Sequence, residues 1–232
     1  MSAAARLTLV KQTMLSSVML VMMLTVFCVS VGGFRFPRLW FFAGMAFIYF
    51  LGSNVVLYKT NPELLVQRLK IRRSGSKTWD EVLVRASNLS AMILVPAVSG
   101  LDVGRYGWSS LGAPFLVVGV VLLVFSSVLI NWAMVVNPFF EPTVRIQDDR
   151  EHRVVSSGPY AFVRHPGYLS GILWMTSIPL ILGSLYGLLP VAFYSVLMII
   201  RTYLEDRPLK EELAGYREYS AKVRYRLFPG IW

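Results

Sequence analysis

The sequence predicts an all-α, polytopic integral membrane helix bundle of about six transmembrane helices closed by a C-terminal helical hairpin. Hydrophobic residues make up 55% of the chain and Asp, Glu, Lys and Arg together only 16%, a balance outside the range of ordinary soluble domains. A bilayer core about 30 Å thick takes about 20 apolar residues per helix, and such runs fall near 13–33, 39–58, 83–101, 112–136, 168–184 and 187–204. Lys and Arg crowd the segments on one side of those runs.

The first run, Thr13–Val31 behind Lys11, has the outline of a signal peptide but is longer than an ordinary h-region, so it is taken as a span. Cys28, the only cysteine, can form no internal disulfide and fits an inert core position. The last two runs are separated by little more than Gly183, Gly187 and Pro190, which predicts a tight hairpin. Basic residues are retained on the cytoplasmic side. An even number of spans then puts Arg6, Lys11, the basic residues of 59–82, Arg145, Arg150, Arg153, Arg164 and the basic C-terminal segment together inside, leaving only Arg35, Arg38 and Arg105 outside. Both termini are thus expected in the cytoplasm. The net charge of +10 is a topology signal and an attraction to anionic membrane lipid. Without a basic face apart from the membrane edge, nucleic acid is not an expected partner.

Two regions differ in character, a four-span stretch 1–136 with few ionisable groups and a stretch 137–232 where short apolar elements alternate with polar segments. In the 59–82 loop, Asn61 and Pro62 are placed to start a helix. Leu64, Leu65, Leu69 and Ile71 among basic residues suggest a piece lying on the membrane surface. Arg85, close to a span end, is expected to snorkel to the surface. Asn131 and Asn137 near the end of the fourth span want partners inside a bundle, and could orient the following loop or line a pocket.

Ionisable groups meeting at a membrane boundary are a functional-site hypothesis by default, and the second region supplies several. In "VVSSGPYAFVRHPGY" (154–168), Pro166 pushes His165 out of helical conformation, and Gly158–Pro159 makes a turn that lets backbone approach a ligand. Anchoring at the headgroups would explain Arg164 and His165 equally well. Arg201 and Glu205, four residues apart, share a helix face and can pair. Asp206 ahead of Pro208, Glu211 and Glu212 reads as the N-cap of a new helix. Tyr216, Tyr219 and Tyr225 interleaved with Arg217, Lys222, Arg224 and Arg226 read as an interfacial aromatic-basic belt. Two histidines and one distant cysteine offer no metal-ligand spacing, so no metal is expected.

The order "GPYAFVRHPGYLSG", an apolar hairpin, then "EELAGYREYSAKVRYRLFP" resembles the isoprenylcysteine carboxyl methyltransferase family and its phospholipid-methyltransferase relatives, over roughly residues 137–232. The resemblance implies a membrane enzyme that uses S-adenosyl-L-methionine held at a cytosolic site, with a prenylated or lipid-like acceptor methylated at a carboxylate. It implies that Val155, Gly158, Tyr160, His165 and Tyr168 hold the cofactor together with Glu205. Arg201 and Glu205 would face the reacting centre, and Arg164 would be a pocket wall or a carboxylate grip. Pro208 departs from the family pattern by interrupting a helix that usually continues. Two other functions compete, an NADPH-dependent membrane reductase of sterol-reductase type and a non-enzymatic lipid-binding membrane protein. The reductases usually carry an asparagine where this chain has Gly167.

Overall fold

The computed structural model describes residues 3–69 and 77–232, with side chains from residue 6 onward. Its helices are α1 (Ala3–Val31), α2 (Pro37–Thr60), α3 (Pro62–Arg68), α4 (Thr78–Tyr106), α5 (Ala113–Val136), α6 (Pro166–Leu182), α7 (Leu188–Glu212) and α8 (Tyr216–Lys222). There is no strand among the described residues. Five helices, α1, α2, α4, α5 and α7, are long and apolar enough to cross a membrane. The sixth apolar helix, α6, has 17 residues, or about 26 Å at 1.5 Å per residue. It tolerates that length because most of it is buried in protein, chiefly against α5 and α7.

Local sequence sets the helix limits. Pro37, Pro62, Pro114 and Pro166 each lie in a first turn, where the missing N–H costs nothing. Asn61 caps α3 by accepting from the Leu64 N–H at 3.2 Å. Helix α5 shows why the spans carry no amphipathic signature. Val117, Val121, Val124 and Val128 form an exposed apolar stripe, while Gly119, Leu123, Ser126 and Ala133 are buried on another face. In a membrane both faces are apolar, and the buried one is marked by small residues that let backbones approach.

That principle joins α4 to α1. A Cβ at Gly104 would lie 2.8 Å from the Val31 Cα and carbonyl oxygen, so only glycine admits this contact. Helix α4 also contains two π-helical stretches, Ser90–Leu94 and Leu101–Tyr106, which flank Pro96 and carry Ser90 to a 2.8 Å hydrogen bond with the Pro190 carbonyl. Cys28 is buried in the core shared by α1, α2, α4 and α6.

At one end of the bundle a buried carboxylate joins the loops. Asp102 accepts from the Ser109 N–H at 2.7 Å, the Ser109 and Ser184 hydroxyls at 2.6 Å each, and the Tyr186 N–H at 3.1 Å. The α4–α5 connection is thereby fixed to the short turn between α6 and α7, where Leu111 N–H also donates to the Gly183 carbonyl at 2.8 Å.

At the other end lie residues 59–69, 77–80, 137–165 and 201–232, cross-linked by Lys77–Glu212 at 3.1 Å and Arg150–Glu63 at 3.0 Å. Two sequence expectations change here. Leu64 and Leu65 do not lie on the membrane surface; they are fully buried against Leu57 and Met134, and the more basic stretch from Lys70 to Arg73 lies outside the described residues. Arg85 is exposed and pairs with Glu81 at 3.3 Å, as expected near a span end. Asp206 caps no new helix, because α7 runs unbroken to Glu212 with Pro208 inside it. Proline removes one helical hydrogen bond and crowds the preceding turn, yet here the turn is held by the buried contacts of Asp206 described below.

Replacing Asp102 by alanine should leave the Ser109 and Tyr186 N–H groups and two hydroxyls without their acceptor. Each unsatisfied buried donor costs about 1–3 kcal/mol, so thermal unfolding of the detergent-solubilised protein should shift down by several degrees while the cleft at the opposite end keeps its properties.

Candidate functional site

A cleft of about 820 Å³, including its open mouth, lies between the α5–α6 connection, α7 and α8. Val155, Tyr160, Arg164, His165, Tyr168 and Glu205 line it. Of the residues singled out from sequence, Gly158 and Arg201 stand behind the wall instead. Gly158 has φ +60, and a Cβ there would sit 2.8 Å from Trp132 Nε1; its role is to seat the turn on α5.

His165 precedes Pro166 with φ −125 and ψ 61, outside helical space, as the proline requires. The segment is held by backbone pairing with the C-terminal tail, Arg164 N–H to the Tyr225 carbonyl and His165 N–H to the Arg226 carbonyl, both at 3.0 Å. His165 Nε2 lies 3.0 Å from Asp206 Oδ1; a carboxylate only accepts, so the proton sits on Nε2. The imidazole stacks parallel to the Tyr168 ring with centroids 5.6 Å apart.

Asp206 is the centre of this end. Oδ1 accepts from His165 Nε2 and from the Tyr216 hydroxyl at 2.9 Å; Oδ2 accepts from Arg226 Nε at 2.6 Å and meets Arg164 Nη2 at 2.8 Å. An ionised carboxylate offers about four lone-pair sites, so Asp206 is saturated and has nothing to offer a ligand. Glu205, the next residue, takes the Tyr168 hydroxyl as a donor, and its side chain remains 20% exposed on the cleft. The two neighbours have divided labour: Asp206 is structural and Glu205 is available.

Arg164 is the complementary group. Its side chain is 4% exposed and its Nη2 is spent on Asp206, yet its Nε is buried with no hydrogen-bond partner. A buried guanidinium donor without an acceptor is costly unless a ligand supplies one. Of the residues lining the cleft, Arg164 thus keeps a buried donor without a partner and Glu205 a carboxylate with capacity to spare.

Arg201 does not pair with Glu205. It forks onto Asp80, Nε to Oδ1 at 2.6 Å and Nη2 to Oδ2 at 3.2 Å, gives a further bond to the Pro142 carbonyl, and lies 4.9 Å from the centroid of the Tyr168 ring. Asp80, far away in sequence, carried no local signal.

The other cleft residues were hidden for a similar reason. Tyr216 and Tyr219 form no interfacial belt; both are buried. Tyr219 donates to the Tyr160 carbonyl at 2.7 Å, and burial pushes both phenols well above the ordinary range. Tyr225 is 40% exposed, as a belt residue would be. Asn137 both orients the loop and lines the cleft, accepting from Phe139 N–H and donating to the Tyr160 hydroxyl at 2.9 Å each. Asn131 uses its amide on the Ser127 carbonyl within α5. On the far wall Arg145 forks onto Glu141 at 2.9 and 3.0 Å, and His152 packs against Phe139 with centroids 4.6 Å apart. No cluster of His, Cys, Asp and Glu suited to a metal occurs among the described residues.

Residues 118–211 match the model of the isoprenylcysteine carboxyl methyltransferase (ICMT) family. The match spans less than half of the chain, and over that segment the chain resembles the ICMT family. Two curated relatives, each named a probable protein-S-isoprenylcysteine O-methyltransferase, from Oryza sativa subsp. indica and Oryza sativa subsp. japonica, are 29% identical over 113 residues. The alignments cover 46% of this chain and 57% of each relative, so the chain spans a little over half the length of those proteins. A solved structure of the eukaryotic intramembrane Ras methyltransferase ICMT superposes with a TM-score of 0.49 at 18% identity, covering 90% of this chain and 74% of that one. The ICMT segment holds Arg164, His165, Tyr168, Arg201, Glu205 and Asp206, whereas Asp80, Tyr216 and Tyr219 lie outside it.

His152 carries a pH dependence. Burial first, then the charge of Arg145, lowers it from the ordinary 6.5 to about 4. Between those values the unfolded chain binds more proton at this ring than the folded one, so stability is full above pH 6.5 and falls as the pH drops towards 4. The melting temperature in detergent should decline across that window, and more shallowly for His152→Gln.

Proposed function

We propose that the chain is a membrane methyltransferase that transfers a methyl group from S-adenosyl-L-methionine to the carboxylate of a prenylated, isoprenylcysteine-type acceptor. The single observation that carries this reading is the pairing of an unpartnered buried donor, Arg164 Nε, with an available carboxylate, Glu205, on one cleft. A ligand bearing both a carboxylate and cationic groups complements that pair. The donor set suits the methionine part of the cofactor, and the aromatic side chains of Phe139, Phe140 and Tyr160 offer apolar walls to its base.

When bound, the cofactor supplies a sulfonium methyl, which leaves sulfur with the C–S electron pair behind as a carboxylate oxygen forms the new C–O bond. The protein's task is alignment and exclusion of water rather than acid–base work, because a carboxylate acceptor is already ionised and needs no base. Arg164 Nε gives a charge-assisted hydrogen bond to a carboxylate. Glu205 places a negative charge beside the cationic end of the cofactor, steadied by the Tyr168 hydroxyl. His165, with its proton committed to Asp206, holds the parallel Tyr168 ring in place.

The catalytic region is residues 137–232, with the four preceding spans as its membrane frame. The cleft and both termini face the cytoplasm, since the basic residues gather at the end of the bundle that carries the cleft. A lipid tail can then reach the cleft from the bilayer while the cofactor arrives from water.

The purified chain in detergent should bind labelled S-adenosyl-L-methionine and pass the label to a farnesylated cysteine with a free carboxylate. Glu205→Gln and Arg164→Lys should each weaken cofactor binding by tenfold or more with thermal stability nearly kept for Glu205→Gln. Binding unchanged by both substitutions, or no binding at all, would sink the assignment.

A further inference from the structure

We infer that Asp80, in the first turn of α4 and outside the ICMT segment, is a positioning residue of the site: it fixes the Arg201 guanidinium beside the Tyr168 ring and thereby sets the Tyr168–Glu205 pair that faces the cleft. The inference rests on the methyltransferase reading above.

Asp80 is fully buried, at 0% exposure. It accepts from two partners, the Arg201 fork and the Val144 N–H at 2.8 Å. Its neighbour Lys77 donates its backbone N–H to the Val144 carbonyl at 3.4 Å, so the entry to α4 lies along the cleft loop. A buried carboxylate so placed neutralises the buried guanidinium, and bidentate geometry fixes the plane as well as the position of the arginine.

The consequence for the cleft follows from competition. Arg201 and Glu205 are four residues apart on α7, a spacing that lets a guanidinium and a carboxylate meet. With Nε and Nη2 held by Asp80 and the Pro142 carbonyl, Arg201 stays behind the Tyr168 ring, and Glu205 keeps the Tyr168 hydroxyl as its donor and its free edge on the cleft. Remove the Asp80 charge and the nearest carboxylate able to neutralise Arg201 is Glu205. Pairing would then withdraw Glu205 from the ligand. Asp80 has no contact with Glu205 and does not line the cleft, so its influence must pass through Arg201.

Asp80→Asn keeps the side-chain volume and an acceptor for Val144 N–H while removing the charge. In the full chain in detergent it should weaken S-adenosyl-L-methionine binding, measured by calorimetry, by about tenfold in the otherwise unaltered protein. In the Glu205→Gln background the same change should alter binding by less than twofold, because there is no carboxylate left to withdraw. A residue that only supports the fold would give equal effects in both backgrounds; that result, or unchanged binding in a folded Asp80→Asn protein, overturns the inference. If Asp80→Asn alone fails to fold, Asp80→Asn/Arg201→Gln leaves no unpaired buried charge and is compared with Arg201→Gln. Equal affinities support action through Arg201, and a difference above twofold overturns it. Absence of binding by the unaltered chain overturns the methyltransferase reading, and with it the role of Asp80; loss of the coupling alone overturns only the latter.

Discussion

The site end of the molecule depends on one buried carboxylate. Asp206 gathers Arg164 and His165 from the segment before α6, Tyr216 from α8 and Arg226 from the C-terminal tail. Two guanidinium groups and an imidazole could not be buried together without a negative charge among them, and removing one partner of such a group is far costlier than the group's net worth. The saturation of Asp206 also frees its neighbour. Consecutive residues on a helix point about 100° apart, so one position places a carboxylate in the protein and the next places one on the cleft.

Buried carboxylates recur as joints in this chain. Asp80 ties the entry of α4 to α7 and the cleft loop, and Asp102 ties the α4–α5 connection to the α6–α7 turn at the opposite end. Within a bilayer, apolar packing gives little preference for one helix arrangement over another, since lipid tails are as apolar as leucine. Directional bonds from a single buried group choose one arrangement. Asp102 is satisfied by neutral donors alone, whereas Asp80 and Asp206, at the end that carries the cleft, are matched by arginines. The charged joints are where the protein holds its cations in place.

The spans were legible because bilayer thickness leaves a direct mark on sequence, and each expected run lies within a helix of the structure or overlaps most of one. The proline-defined geometry of His165 was legible because it depends on two adjacent residues. What stayed hidden was set by partners distant in sequence. Asp206 before Pro208 has the local form of a helix start, and only Arg164, His165 and Arg226 make it a mid-helix hub. Tyr216 and Tyr219, set among basic residues, look like an interfacial belt until Asp206 and the Tyr160 carbonyl supply their hydrogen bonds. Arg201 and Glu205 satisfy the spacing rule for an ion pair, but a fully buried competitor on another helix takes the arginine. Asp80 lies in a polar stretch at a span boundary, where acidic first-turn residues are common, and nothing local separates it from Glu81, which pairs only with the exposed Arg85.

The short length of α6 explains why the cleft sits at the lip of the bundle. Its neighbours α5 and α7 have 24 and 25 residues, while α6 begins only at Pro166 and has 17. The space left ahead of its first turn is walled by the last turns of α7, by α8 and by the loop following α5, the same elements that line the cleft. A helix long enough to fill that space would have put apolar side chains where Arg164, His165 and Glu205 now face a common volume. Proline at the start of α6 stops the helix from extending backward. The chain leading into it leaves helical conformation at His165, pairs with the C-terminal tail and turns its basic side chains towards Asp206. The depth of the cleft is therefore a property of where one helix is prevented from beginning, and the charges within it are stable there because Asp206 and Asp80 already balance the arginines.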